Sequence, residues 1–119
     1  MWPRKRTTSE IGKQAENKAA DYLVQRGLSI IEENFRAKTG EIDLIAEDGK
    51  TLVFVEVKFR KNDRFGQPFE TVTHSKQQKI IRTAQSYLQL NKKQANKACR
   101  FDIISILNDD ITWLKDAFE

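Results

Sequence analysis

Two carboxylates and a lysine occur at a spacing that could place them around one divalent cation. Asp43 precedes Glu56 by 13 residues, and Lys58 follows Glu56 after one intervening valine. Two carboxylates that lie close together can bind Mg²⁺ or Mn²⁺, because these hard cations prefer oxygen ligands. A lysine beside them can orient an attacking water or stabilise charge on a phosphate in the transition state.

A β-hairpin is predicted to position these side chains. Residues 41–46 and 52–59 are apolar and β-branched, which is typical of strands. Asp48-Gly49 between them indicates a two-residue turn, because both turn positions favour residues that accept a positive φ. With this turn Glu47 pairs with Lys50, Asp43 lies opposite Phe54, and Glu41 lies opposite Glu56.

Side chains alternate between the two faces of a strand, so Glu41, Asp43, Glu56 and Lys58 are predicted to share one face. Asp43 and Glu56 are then diagonal neighbours, with Cβ atoms about 7 Å apart. The opposite face is wholly apolar and is predicted to be core: it comprises Ile42, Leu44, Ala46, Val53, Val55, Val57 and Phe59.

An exposed ladder of ion pairs is the other interpretation of the charged face, because such ladders are common on hairpins. The geometry alone leaves both interpretations open. The directly opposed Glu41 and Glu56 argue against a ladder, since two carboxylates repel unless a cation or a proton lies between them.

A helix over residues 8–26 is predicted to add a further carboxylate. Thr7-x-x-Glu10 has the form of a capping box, small or apolar residues recur at helical spacing, and Gly27 ends the helix. Glu16 lies on the flank of the apolar stripe, one turn after Gly12. Its carboxylate can reach the sheet surface, and the glycine leaves room for a ligand.

The remaining elements predict an α/β sandwich around a mixed sheet. A strand is expected at 28–35, a loop at 60–73, a helix at 75–90 that begins with a Ser75-x-x-Gln78 capping box, and strands at 100–107 and 111–118. Residues 1–6 are predicted to be a flexible basic arm, and residues 7–119 a single domain, because the chain is too short for a second core.

Charge is segregated along the chain in a way that favours a nucleic-acid partner. The net charge is +4, from 21 basic and 17 acidic residues. From Glu32 to Glu56 acidic residues predominate, whereas the segment from Thr71 to Phe101 has no acidic residue and seven basic ones. An acidic centre with basic flanks suits a protein that binds a divalent cation and holds a polyanion around it. Any single charge run can equally be a solvated face.

Several classes of protein are disfavoured by composition. The single cysteine, Cys99, excludes an internal disulfide and a cysteine-based zinc cluster, and is expected to be a small core residue. No apolar stretch is long enough to span a bilayer, so no membrane partner is expected. The basic N-terminus lacks the apolar segment of a signal peptide, and a cytoplasmic location is therefore expected.

The motifs GEIDLI, FVEVK and RFD, in this order, closely resemble those of the YraN-like family of uncharacterised bacterial proteins. The resemblance extends from about Glu10 to Ile106. The aspartate with the ExK motif is similar to the signature of the PD-(D/E)XK nuclease superfamily, which includes archaeal Holliday-junction resolvases. This likeness implies a restriction-endonuclease-like fold, a three-layer sandwich with a central mixed sheet flanked by helices.

The resemblance further implies an endonuclease that uses Mg²⁺ or Mn²⁺ to hydrolyse phosphodiester bonds of DNA, branched or otherwise structured. Glu16, Asp43, Glu56 and Lys58 match the catalytic positions of the superfamily, and Asp43, Glu56 and Glu16 match its metal ligands. A non-catalytic nucleic-acid-binding module that retains the fold is the alternative. The intact carboxylate cluster favours the enzyme, because a pure binder gains nothing from like charges that face DNA.

Basic and aromatic residues after the ExK motif are predicted to contact nucleic acid. The candidates are Arg60, Lys61, Arg64, Lys76 and Lys79. Phe65 and Phe69 are aromatic candidates that can equally pack into the core. His74 is expected at the surface or as a cap, Asp102 as a structural partner of Arg100 or of a helix base, and Trp113 as a packing residue. Monomer and homodimer both remain open.

Overall fold

The computed structural model describes residues 7–62, 64 and 66–119, apart from the side chain of Glu70. The predicted basic arm at residues 1–6 and the aromatic candidate Phe65 lie outside the described residues.

Two helices and five strands follow one another in the predicted order. They are α1 (Thr8–Gln25), β1 (Ser29–Ala37), β2 (Gly40–Asp48), β3 (Thr51–Arg60), α2 (His74–Leu90), β4 (Ala98–Leu107) and β5 (Asp110–Phe118). Short 3₁₀ helices occur at Pro68–Thr71, within the predicted loop, and at Lys92–Gln94. Neither helix among the described residues is long and apolar enough to cross a membrane.

The five strands form one sheet in the order β1-β2-β3-β4-β5. β3 and β4 are parallel, and the other neighbours are antiparallel. A parallel pair needs a crossover connection, which α2 provides between β3 and β4. The sheet has α1 on one face and α2 on the other, and the predicted three-layer sandwich with a mixed central sheet is thus confirmed.

Each face of the sheet has its own hydrophobic core. Ala15, Ala19 and Leu23 of α1 pack with Leu44, Ala46, Val53, Val55, Ile104 and Ile106. Ile80, Ala84 and Tyr87 of α2 pack with Phe35, Ile42, Ile45, Leu52, Phe54 and Ile103. The central strands therefore bury both faces, and only their ends are available for polar chemistry.

The helix starts agree with the sequence for α1 but not for α2. Thr7 caps α1, and its hydroxyl accepts a hydrogen bond from the Glu10 amide at 3.1 Å. The predicted capping box at Ser75 is wrong, because Thr73 is the N-cap of α2 and accepts from the Lys76 amide at 3.3 Å. Thr73 is the last residue with extended backbone before the helix, which is the conformation that a capping side chain needs. His74 is consequently the first residue of α2.

The hairpin of β2 and β3 has a two-residue turn, but the turn is not Asp48-Gly49. Asp48 pairs with Thr51, so Gly49 and Lys50 are the central residues. Gly49 has a φ of 60°, and a glycine with positive φ at the first central position is typical of a type II′ turn. The predicted pairing of Glu47 with Lys50 is therefore wrong by two residues. A shift of two preserves the alternation of side chains.

A buried carboxylate, Asp102, ties β4 to β5. Its side chain has no solvent exposure, and it accepts hydrogen bonds from Arg100 Nε at 3.0 Å, Trp113 Nε1 at 2.9 Å and the Asp116 amide at 2.9 Å. Arg100 also pairs with Asp48 at 2.9 Å. The predicted structural role of Asp102 as a partner of Arg100 is confirmed. The expectation that Cys99 is a core residue is wrong, because its position near the start of β4 leaves it exposed.

Candidate metal centre

The hairpin opens at the end distant from its turn. Pairing between β2 and β3 extends from Asp48–Thr51 only to Leu44–Val55. Beyond these residues β2 stays paired with β1, and β3 stays paired with β4 as far as Arg60. The opening between the two central strands therefore contains the segments with Asp43 on one side and Glu56 and Lys58 on the other.

The alternation of side chains along β2 breaks at the same place. Asn34 of β1 has a φ of 54° and lies opposite Asp43, between the pairs Phe35–Ile42 and Glu33–Leu44. Asparagine tolerates this left-handed conformation better than most residues. As a result Ile42 packs in the core under α2, whereas Leu44 packs in the core under α1.

This break corrects the prediction that Ile42 and Leu44 share one apolar face, and it changes how the charged residues meet. Glu41 and Asp43 lie beside α1. By alternation along β3, Glu56 and Lys58 are on the same face as Leu52 and Phe54, which pack under α2. The opening between the strands, and not a single shared face, brings the two groups together.

Three carboxylates converge in the opening. Glu16 of α1 and Glu41 and Asp43 of β2 each place an oxygen within 4.8 Å of the other two. The structure thus joins Glu16 and Asp43, as the sequence analysis expected, and adds Glu41 to them. Glu56, the third predicted ligand, is not part of this closest group.

Asp43 lies at the centre of the cluster. Its carboxylate accepts a hydrogen bond from the Val57 amide at 2.8 Å, so it takes the place of a strand partner for β3. Burial, together with the negative charges of Glu56, Glu16 and Glu41, raises the pKa of Asp43 to about 8, against the lowering effect of the Val57 amide. Without a cation, this arrangement disfavours the ionised carboxylate.

Glu16 forms a hydrogen bond with Asn34, the residue with positive φ in β1. Burial raises the pKa of Glu16, and a hydrogen bond from the Asn34 side chain and the charge of Lys13 oppose that rise. Arg36 lies 3.6 Å from Glu41 at the outer edge of the cluster, where both side chains are partly exposed. Asn34 therefore shapes the strand and also positions a carboxylate.

Glu56 and Lys58 form an ion pair on β3 with a separation of 3.3 Å, and both side chains are largely buried. Burial raises the pKa of the Glu56 carboxyl, although the neighbouring charges of Lys58 and Lys76 lower it. Lys58, as the direct neighbour, and Arg60 lower the pKa of the Lys76 ammonium. Lys76 at the start of α2 thus lies next to the ExK motif.

The donors around Asp43 fit a hard divalent cation. They are carboxylate oxygens, the ligand type that Mg²⁺ and Mn²⁺ prefer. A cavity of about 270 Å³ adjoins them and is lined by Gly12, Glu16 and Asp43, among others. Among the described residues, no atom outside the adjacent residues and the backbone of α1 lies within 4 Å of the position that a Cβ on Gly12 would occupy, so the glycine leaves this space open.

The other predicted nucleic-acid contacts are exposed residues. Arg60 ends β3 and is exposed, Lys61 follows it and lines a neighbouring cavity, and Arg64 is exposed in the next loop. Lys79 is exposed on α2, three residues beyond Lys76. Phe69 is 38% exposed on the 3₁₀ helix, so it is not a core residue.

Sequence reasoning missed two residues of the cluster. Glu41 was predicted to share a face with Asp43 but was not predicted as a ligand, although its placement two residues before Asp43 on one strand was a signal for a shared role. Asn34 was not singled out. An asparagine inside a predicted strand was the available signal, because asparagine is depleted in strands.

Comparison with known proteins places the chain in a family. A sequence model described as "Uncharacterised protein family UPF0102" matches residues 15–106. The chain is 45% identical to a UPF0102 protein from Nitrosococcus oceani, with 94% of each chain covered. It is 48% identical to one from Saccharophagus degradans, with 92% of this chain and 93% of that protein covered. It is 49% identical to one from Persephonella marina, with 91% and 92% covered. The predicted family resemblance is confirmed, and the chain belongs to the uncharacterised protein family UPF0102.

Proposed function

We propose that this protein is a metal-dependent endonuclease that hydrolyses phosphodiester bonds of branched or structured DNA in the cytoplasm. The observation that carries the proposal is the convergence of Glu16, Glu41 and Asp43 in the strand opening that Glu56 and Lys58 face from β3. Neither a structural network nor an ion-pair ladder needs three carboxylates that repel one another. In this cluster the repulsion contributes to the raised pKa of Asp43.

The residues that would hold Mg²⁺ or Mn²⁺ are Glu16, Glu41 and Asp43, with Glu56 on the far side of the opening. The chemistry that such a cation supplies is polarisation of the scissile phosphate and a lowered pKa of a bound water. The pKa of Asp43 is raised partly by its carboxylate neighbours, and neutralisation of those charges favours its ionised form.

Lys58 is the proposed catalytic cation. Its ammonium is held 3.3 Å from Glu56 and is largely buried, which fixes its position before a substrate binds. From there it donates hydrogen bonds to the attacking water or to the phosphate oxygens that gain charge in the transition state. Lys76 lies beside Lys58, and an anion between the two ammonium groups relieves their repulsion.

The exposed basic residues around the opening are proposed to bind the DNA backbone. These residues are Arg60, Lys61, Arg64, Lys76 and Lys79, all of them exposed, and Lys76 lies beside Lys58. Contacts with phosphates release counterions, so binding should weaken as salt increases. The likeness of the ExK motif to the PD-(D/E)XK signature supports the same reaction class.

Cleavage assays on a panel of branched, flapped, single-stranded and linear DNAs with Mg²⁺ or Mn²⁺ test the proposal. Asp43→Ala should lose metal binding and lower the cleavage rate by about 10³-fold or more. Lys58→Ala should retain metal and DNA binding but lose cleavage, because its charge is needed mainly in the transition state. Lys50→Ala, an exposed lysine at the hairpin turn, is the matched control and should cleave like the wild type.

Salt-dependent binding tests the proposed contacts separately. Lys61→Glu should weaken binding to all DNA sequences alike and reduce the slope of log K against log [salt] by about 1 for each lost phosphate contact. Lys50→Glu should change neither quantity. Wild-type protein that binds these DNAs but cuts none of them with Mn²⁺ would refute the endonuclease and leave a nucleic-acid-binding module.

A further inference from the structure

A second cavity lies on the α1 side of the sheet, between that helix, the end of β3 and the turn from β4 to β5. Its volume is about 490 Å³. Four apolar residues contribute to its walls: Ile11 and Ala15 of α1, Phe59 of β3 and Ile106 of β4. Phe59 is only partly buried, so an aromatic side chain remains accessible from the cavity.

This cavity adjoins the smaller one at the carboxylates. Ile11, Ala15 and Phe59 line both of them, and the smaller cavity also contacts Glu16 and Asp43. A group bound in the larger cavity is therefore a direct neighbour of any group that reacts at the carboxylates.

The rim of the larger cavity is polar. Gln14, Asn108 and Lys61 contribute to its lining, as do Lys18 and Asp109, which form an ion pair of 3.4 Å. The backbone fixes this rim, because the Asn108 amide donates a 2.7 Å hydrogen bond to the carbonyl of Arg60. The lining thus combines apolar walls, amide groups that can both donate and accept hydrogen bonds, and a lysine.

We propose that the larger cavity binds one unpaired nucleobase of the DNA substrate, next to the phosphate that is cleaved. A base presents a flat apolar face to the walls and to Phe59, and a hydrogen-bonding edge to the amides of Gln14 and Asn108. Lys61 at the rim suits the phosphate of the same nucleotide. The volume is within the usual range of about 300–1,000 Å³ for ligand pockets.

This inference rests on the proposed function and narrows its substrate class. A base that is paired in a duplex cannot enter a cavity without being extruded from the stack, which costs free energy. DNA with unpaired nucleotides near the scissile phosphate is therefore the preferred substrate. A fully paired linear duplex can make the contacts with backbone phosphates but cannot place a base in the larger cavity.

Binding of flapped DNA in Ca²⁺, measured by fluorescence anisotropy, tests the cavity. The probes are a flap with intact bases and matched flaps with an abasic nucleotide at each unpaired position in turn. At one position the wild type should bind the abasic probe roughly tenfold more weakly, as expected for the loss of one stacked base. Gln14→Trp fills the cavity and should remove this difference. Gln25→Trp, the same substitution at the exposed end of α1, should leave it unchanged.

Asn108→Gly is a second variant that removes a rim amide while it tolerates the φ of 56° at this turn position. It should reduce the difference between the intact and abasic probes even if Gln14→Trp does not fold. Equal binding of all probes by the wild type, or an unchanged difference in folded Gln14→Trp, would overturn the proposal. If the wild type cuts no substrate but shows a base preference that depends on Gln14, only the proposed endonuclease activity is refuted. If it cuts DNA but shows no base preference, only the proposed base-binding cavity is refuted.

Discussion

Asp43 and Asp102 are both inward-facing aspartates in neighbouring parts of one sheet, but they have opposite surroundings. Asp102 is completely buried and receives hydrogen bonds from an arginine, an indole and a backbone amide. Asp43 receives one backbone hydrogen bond and faces three other carboxylates, and its pKa is raised to about 8. The first environment stabilises a negative charge with fixed donors, whereas the second leaves it without compensation.

This difference distinguishes Asp102, which has a structural role, from Asp43, which is a proposed metal ligand. A buried charge that has a cation and several donors contributes to a defined fold. A buried charge among like charges destabilises the metal-free protein, and a bound proton or a bound cation offsets this cost. Three experiments test this contrast between Asp43 and Asp102.

The largest expected effect is on stability. Asp102→Ala leaves Arg100 and the Trp113 N–H without their shared partner, and should lower the free energy of unfolding by about 3 kcal/mol or more. Asp43→Asn keeps an acceptor for the Val57 amide and removes a repelled charge, so at pH 8 without metal it should be as stable as the wild type or more so. Urea denaturation in EDTA measures both values. A large loss of stability in Asp43→Asn would mean that this carboxylate is structural too.

The next effect concerns metal. Mg²⁺ or Mn²⁺ at 100 times its Kd should stabilise the wild type by about 2.7 kcal/mol, seen as a higher Tm. Glu41→Gln should remove most of this increase, because Glu41 is one of the three converging carboxylates. Glu119→Gln, an exposed glutamate at the end of the chain, serves as the control and should keep the full increase. A full increase in Glu41→Gln as well would place the cation elsewhere.

The third effect is a slope with pH. The folded protein without metal keeps a proton on Asp43 that the unfolded chain releases near its usual pKa of 3.8, because the folded pKa is about 8. The folded state therefore binds more protons between these values, and stability should fall as pH rises from about 4 to 8, by at most about 1.4 kcal/mol per pH unit for one proton. Urea midpoints at several pH values in EDTA measure the slope. Asp43→Asn should flatten it, and an unchanged slope in that variant would contradict the assignment.

The elements of the fold could be predicted from sequence because their signals are local. Capping at Thr7, the apolar stripes of both helices and the β-branched runs each depend on a few neighbouring residues. The turn of the β2–β3 hairpin was wrong by one residue, and the pairing therefore by two, because Asp48-Gly49 and Gly49-Lys50 are both acceptable turn pairs and the choice depends on pairing along the whole hairpin.

The candidate site could be predicted only in part, for a physical reason. Alternation along a regular hairpin predicts that Asp43 and Glu56 are neighbours, but it cannot predict where two strands separate. The break at Asn34 turns Glu41 and Asp43 toward α1, and that is a tertiary effect. Glu41 therefore entered the cluster only when the structure showed it beside Glu16.

The bond from the Val57 amide to the Asp43 carboxylate has a consequence for observing the site in solution. A backbone proton that donates to an ionisable oxygen changes its magnetic environment whenever that oxygen gains a proton or a ligand. The ¹H–¹⁵N chemical shift of Val57 should consequently report whether a proton or a ligand is bound to the Asp43 carboxylate. It can be followed without a nucleic acid and without substitution of any residue. Its exchange with deuterium similarly reports how often the opening between the two strands fluctuates.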